Sequence, residues 1–351
     1  MIRSKFILFL VIVILLITFG CSNDNKTSNK NGNEEVTSLT FAEPARILSM
    51  APYYVAIEQG FFEDENIDVD ISSGGGGAQA AAALMSGDAQ FAVAGPRAIL
   101  ASLEEGQDLL AIQALNSSLT LEVTLSNDYM HEKGVSSDSS LEEKLDVLKN
   151  ATIGSNNVGD SGDVYLRNLM EKHGIDHSNF EVIKLDGNGA KIGGMLENIV
   201  DGGVASPPFA QQANQKKAGE KFIQSSEDDD YADLVWEIVY AEREYLEDNP
   251  EVAEKVVKAI GKGIEFSREN PEEAAESIQD YFDGVDTEII EQSLISIQDS
   301  FTGHGEMSQE AFDNGQDPLV EFSDMSGVKT KRDTSPGGFW TNEYIEEVFP
   351  N

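Results

Sequence analysis

LTFAEPARILSMAPYYVAIEQGFFEDENIDVDISSGGGGAQAAAALMSGDAQFAVAGP, residues 39–96, decides the fold. A short strand, Leu39–Ala42, leads into the helical segment PYYVAIEQGFF. Alternation at Ile67, Val69 and Ile71 predicts a second strand, and four glycines, Gly74–Gly77, turn it into the small-residue helix AQAAAALMSGD. FAVAG is a third strand. Strands alternating with helices through tight glycine turns build a parallel, doubly wound sheet. Such sheets hold ligands at the turns after the carboxyl ends of their strands. This stretch therefore reads as a holder of a small molecule.

Working outward, Leu109–Leu115 and Leu119–Leu125 read as further strands, with helices near Tyr53–Gln59, Ala78–Met85 and Arg97–Glu105. A polar stretch rich in Ser, Asp and Glu follows. A second alternating unit starts at Ala151: strand ATIGS, helix Ser161–His173, strand FEVIKL, helix Gly189–Val200, strand GGVASPP, helix Phe209–Ala218 and a strand near Lys221–Ile223. The acidic run Glu227–Asp230 reads as a surface loop and LVWEIVY, Leu234–Tyr240, as a strand returning to the first unit. Beyond Glu242 the chain turns helical, with Pro250 and Pro271 near helix starts where a missing N–H costs nothing. The segments Glu251–Arg268, Pro271–Tyr281 and Thr287–Asp299 have helical apolar spacing and are expected to pack on lobe one. The expected division is residues 37–118 for the first part of lobe one, 119–234 for lobe two and 235–351 for the return to lobe one. Two crossovers, near Asn116–Ser126 and Asp233–Glu242, make a hinge that closes around a ligand.

A chain of 351 residues fits two lobes better than one core. Asp+Glu total 63 against Lys+Arg 24, a formal net charge of -39, which argues against nucleic acid as a partner. Arg3 and Lys5 precede an apolar run, Phe6–Phe19, shorter than the ~20 residues of a membrane-spanning helix. Residues 1–20 therefore read as a secretory signal. Cys21 is the only cysteine, so no internal disulfide forms. Residues 21–36, polar and without apolar periodicity, read as a disordered tether.

The glycine run supplies Gly75, Gly76 and Gly77 as candidates, which either touch ligand or only permit the turn. Neither nucleotide motif fits: no Lys-Ser or Lys-Thr follows, and Gln79 takes the last glycine's place in G-x-G-x-x-G. Gly95, Pro96 and Arg97 close the third strand. Arg97 reaches into the cleft as an anion anchor or lies in a surface ion pair. Tyr53 is placed in the cleft and Tyr54 on the core, since adjacent helical residues diverge by ~100°. In lobe two, Asn157 and Ser161 open a helix that faces the same gap, alongside ordinary capping. Met50, Asn116 at the first crossover and Pro207 complete the set. His173 and His177 are split by Gly174, no Ser-His-Asp order, G-x-S-x-G or H-E-x-x-H occurs, and no metal, cofactor or catalytic group is expected.

Three segments carry a family resemblance. APYYVAIEQGFFEDENIDVDI is close to P-x-Y-x-A-x-E-x-G-[YF]-F-x-x-x-[GN]-[IL]-x-V, LMSGDAQFAVAG to L-x-x-G-x-[AV]-[DQ]-x-[AG], and ENIVDGGVASPPF to L-x-x-G-x-[VI]-D-A-x-x-x-x-x-P. LEDNPEVAEKVVKAIGKGIEFSRENPEEAAE, with two N-P-E starts, looks like closing helices of the same group. The chain resembles the solute-binding lipoproteins of ABC importers in the NMT1/THI5-like group, which includes binders of alkanesulfonates, taurine, nitrate and thiamine-pyrimidine precursors. The resemblance implies an α/β type II periplasmic-binding-protein fold, two doubly wound lobes joined by a two-crossover hinge. It also implies capture of a small polar or anionic solute and delivery to an ABC permease. The expected protein is a monomer held to the membrane by lipid on Cys21. The precursor binders carry a Trp, an Asn and a His before the first helix, where this chain has Glu43 to Met50. Glu43 and Arg46 there either offer one charge of each sign to a zwitterion or small anion, or form a surface ion pair. A pyrimidine-synthase-like enzyme on the same fold and a ligand-sensing domain are the alternative readings.

Overall fold

The computed structural model describes residues 36–350 apart from Gly75. The expected signal, the tether, Cys21 and Gly75 lie outside the described residues. Ten strands follow in chain order: β1 (Thr37–Glu43), β2 (Ile67–Ser73), β3 (Phe91–Ala94), β4 (Leu109–Asn116), β5 (Glu122–Ser126), β6 (Thr152–Ser155), β7 (Glu181–Lys184), β8 (Gly202–Ala205), β9 (Gly219–Gln224) and β10 (Trp236–Glu242). They form two five-stranded sheets, ordered β2-β1-β3-β10-β4 and β7-β6-β8-β5-β9.

The two sheets share one plan. In the first, β1 runs parallel to β2 and β3, and β10 enters antiparallel between β3 and β4. In the second, β6 runs parallel to β7 and β8, and β5 enters antiparallel between β8 and β9. An antiparallel insert begins where its parallel neighbours end. The starts of β10 and β5 thus join the ligand-holding edges of their sheets.

On one face of the first sheet, Phe41 packs against Tyr53, Phe62 and Phe91 with ring centroids 5.0, 5.8 and 5.1 Å away. The helix Ala51–Glu58 lies here against the long helix Pro250–Glu269. Their approach depends on Gly263, where an added Cβ would stand 2.1 Å from the Pro52 carbonyl oxygen. On the other face a continuous apolar cluster runs through Trp236 and Tyr165 into lobe two. Their rings meet edge-on at 5.8 Å.

Three regions depart from the sequence reading. The polar stretch after β5 folds into helices Asn127–Lys133 and Leu141–Leu148. Buried Tyr129, Met130, Leu145 and Leu148 anchor them, and Ser140 with Glu143 forms a capping box. The expected surface loop Glu227–Asp230 lies within two short helical turns, Ser225–Glu227 and Asp229–Ala232. The end of the chain does not pack on lobe one alone. Helix Gln309–Glu321 also lies against lobe two's helix Ser161–Lys172, with Tyr165 Oη donating to the Gly315 carbonyl at 2.7 Å and Asn168 Nδ2 to Glu321 at 2.6 Å.

Candidate ligand-binding cleft

The lobes meet directly at their ligand-holding edges. Leu48 N–H, in the turn after β1, donates to the Pro207 carbonyl after β8 at 3.2 Å. The buried turn Leu48–Met50 carries Ser49 and Met50 into this seam.

Glu43 ends β1 fully buried while Arg46 stays partly exposed, so their ion pair is half-buried. Arg46 Nε stands 2.9 Å from its Oε1, and Tyr54 Oη donates to Oε2 at 2.8 Å. Burial raises the Glu43 carboxyl above its ordinary value against the pull of Tyr54, Ser73 and Arg46. The Arg46 guanidinium lies 4.7 Å from the Tyr281 ring centre, and Tyr281 stacks on Tyr54 at 4.7 Å. Both tyrosines are fully buried. Tyr53 packs among Phe41 and Phe62, while Tyr54 is the one that meets the charged pair. The charged turn has to be held from the helix behind it, and only the second tyrosine reaches it.

Glu237, which the sequence reading did not select, stands beside Gly95 at the start of β10. It is buried, and Ser49 Oγ donates to its Oε1 at 3.3 Å. Its Oε2 has no hydrogen-bond partner among the described residues. Burial pushes its carboxyl up to about 8, with Glu43 adding to the shift and Ser49 opposing it. Its backbone has φ +46°, left-handed space that a glutamate occupies at a cost of order 1 kcal/mol. A carboxylate inside the apolar run LVWEIVY was the signal available in the sequence.

Several glycine-turn amides are already used. Gly74 N–H donates to the Glu43 carbonyl at 3.0 Å and Gly76 N–H to the Pro44 carbonyl at 3.3 Å. Gly77 is demanded by packing, since a Cβ there would stand 2.8 Å from Ala98 Cβ. Gly95 lies under the Trp236 ring, and Pro96 opens helix Pro96–Glu104. Arg97 Nε donates to the Ser326 carbonyl at 2.8 Å, which ties this cation to the end of the chain. Asn116 is buried, with Nδ2 donating to Ser300 Oγ at 3.1 Å and Oδ1 unpartnered among the described residues.

On lobe two the turn after β6 is organised by Asp160. It accepts from Ser155 Oγ, from Asn157 N–H and from Asp163 N–H, capping the helix that Ser161 begins. The Asn157 side chain is exposed. Exposed Asn156 beside it is the one that engages buried Lys191, whose Nζ donates to Asn156 Oδ1 at 2.7 Å. Burial lowers the Lys191 ammonium to about 8, against the pull of Asp160 and Asp186. At the start of β5, Glu122 is buried opposite Ala205, its carboxyl pushed up to about 7, with Lys221 Nζ 3.5 Å away. His173 and His177 diverge, to Asp228 at 3.0 Å and Glu171 at 3.6 Å. Among the described residues no cluster of His, Cys, Asp and Glu could hold a metal, and no helix is long and apolar enough to cross a membrane.

Comparison with known proteins agrees with this architecture. The "Putative binding protein YtlA" of Bacillus subtilis (strain 168) is 24% identical over 267 residues, spanning 74% of this chain and 75% of that protein. A 4-amino-5-hydroxymethyl-2-methylpyrimidine phosphate synthase of Candida albicans (strain WO-1) is 25% identical over 234 residues, 64% of this chain and 65% of that one. The solved ligand-binding component of an ABC-type import system from Staphylococcus aureus superposes with TM-score 0.68 at 13% identity, covering 90% of this chain and 100% of that one. The Candida albicans CA3427 gene product, described as having the generic periplasmic binding protein structural fold, superposes with TM-score 0.58 at 15% identity, covering 85% of this chain and 92% of that one. This chain has that two-lobed fold. The NMT1/THI5-like family model matches residues 48–274, well over half of the length, and the chain belongs to that family.

Proposed function

We propose that the protein is the solute-binding component of an ABC importer, taking a small polar solute between its lobes and handing it to a membrane permease. One observation carries this reading. The ligand-holding edges of both sheets meet where Leu48 N–H donates to the Pro207 carbonyl, and buried Glu43, Glu237 and Glu122 stand at the strand ends of those edges. Buried polar groups gathered at a seam between lobes are what a hinge-closing binder needs. Glu43, Arg46, Met50, Tyr53, Gly75, Gly76, Gly77, Gly95, Pro96, Arg97, Asn116, Asn157, Ser161 and Pro207 are the proposed contacts, to which Ser49, Tyr54, Lys191 and Glu237 are added. Lobe one is assigned residues 37–118 and 235–351, and lobe two residues 119–234. Cys21 carries the lipid that holds a monomer on the outer face of the membrane.

Calorimetric titration with sulfonates, nitrate, bicarbonate, pyrimidines and amino acids, with small-angle scattering for compaction, tests the proposal. Binding with compaction is expected; no compaction with any compound would contradict it. The synthase relative supports a second reading, an enzyme on this fold. Release of a product from candidate pyrimidine precursors would favour that one.

A further inference from the structure

We propose that the solute presents a protonated nitrogen to the corner formed by Glu237 and Glu43, so that the cleft takes a small organic cation or the cationic end of a zwitterion. This rests on the solute-binding reading above and names the chemistry of its ligand.

The two carboxylates are not equally provided for. Glu43 has Arg46 Nε at 2.9 Å and the Tyr54 hydroxyl at 2.8 Å. Glu237 has one neutral donor, Ser49 Oγ at 3.3 Å, and an Oε2 without a partner among the described residues. Among the described residues the titratable groups that act on it are Glu43 and the Tyr240 hydroxyl, and no cation is among them. The Tyr53 and Tyr240 hydroxyls are likewise buried without partners among the described residues. Arg46 thus balances one carboxylate, and the second is left for something outside the chain.

A buried polar atom with an unfilled bond is destabilising, and an unpaired buried charge more so. The corner also lies on the seam, since the Ser49 that donates to Glu237 follows Leu48, whose amide reaches Pro207. An ammonium or amidinium that displaces the acid's proton would supply the resulting carboxylate with both a donor and a balancing charge. An anionic group on the same solute would find Lys191 across the seam, where Nζ is held by a neutral amide, Asn156 Oδ1 at 2.7 Å.

The test uses matched pairs that differ in the charged nitrogen: taurine with ethanesulfonate, and benzamidinium with benzamide. Each is titrated calorimetrically at pH 7 in buffers of different ionisation enthalpy. Because Glu237 holds its proton until about 8, a cation must displace it. The nitrogen-bearing member is expected to bind at least tenfold tighter, with close to one proton released and affinity rising from pH 6 to 8. Glu237→Gln, isosteric with the protonated acid, should erase both the preference and the proton release. Equal binding within every pair, a preference that survives Glu237→Gln, or no binding by any cation overturns the inference. If anionic or neutral members bind and compact the protein, solute capture stands without it. If nothing of any charge binds, both fall.

Discussion

Each sheet admits one antiparallel strand, and each such strand delivers a buried glutamate to the ligand-holding edge: Glu122 on β5 and Glu237 on β10. Lobe two sets Lys221 Nζ 3.5 Å from its glutamate, whereas in lobe one, among the described residues, only a serine hydroxyl donates to the other. Both glutamates keep buried oxygens without a hydrogen bond among the described residues, but the same topological position has a cation of the chain beside it in one lobe and a neutral hydroxyl in the other. A fold's plan locates its edge, and the partners brought there decide whether the edge is structure or site.

Stability against pH separates the two most strongly. A carboxyl whose folded pKa is raised lets the folded state hold a proton that the unfolded state has lost. Stability then falls between the two values. For Glu237 the window runs from 4.5 to about 8. Wild type should lose about 5 kcal/mol across it relative to Glu237→Gln, measured by urea unfolding at a series of pH values. A flat difference between the two proteins would contradict the burial argument.

Glu122→Gln should show a smaller and earlier version, about 3 kcal/mol complete by about pH 7. Replacing its partner instead, Lys221→Met, makes lobe two resemble lobe one. It should cost about 1 kcal/mol at pH 8 and nothing at pH 5, since Lys221 is partly exposed and screened. Equal losses at both pH values would mean that Lys221 acts through packing and not through charge.

Lys191 has the opposite sign. An amine with a lowered folded pKa leaves the unfolded state holding the extra proton, so stability rises from about pH 8 to 10.5. Lys191→Met should remove that rise, about 3 kcal/mol, while weakening binding of any anionic group. An effect as small as that of Lys221→Met belongs to the contact that ties the lobes behind the cleft. Tyr165→Phe removes the hydrogen bond to the Gly315 carbonyl and should cost about 1 kcal/mol with binding unchanged. A larger change in affinity than in stability would assign that contact to the hinge motion.

Much of the strand and helix plan was legible because it rests on local patterns. Ile67, Val69 and Ile71 alternate within β2, the glycine run precedes helix Gly77–Ser86, and Pro250 and Pro271 start helices. Helices Asn127–Lys133 and Leu141–Leu148 were hidden because each buries only two apolar side chains beneath a polar surface. The site was legible only in part. Glu43 and Arg46 are three residues apart and pair locally. Glu237 reaches Ser49 across 188 positions, and Lys191 reaches Asn156 across 35. Tyr281 joins Tyr54 only through tertiary packing. No local pattern records such meetings, although a lone carboxylate in LVWEIVY and a lysine within a glycine-rich helix were visible hints.

The most direct test is a crystal structure of the protein purified with the solute it carries. The account predicts density between the lobes, with a nitrogen of the solute on the unpartnered oxygen of Glu237 and the opposite end toward Asn156 and Lys191. A solute seated anywhere outside that seam would contradict it, as would one that turns an anionic group toward Glu237.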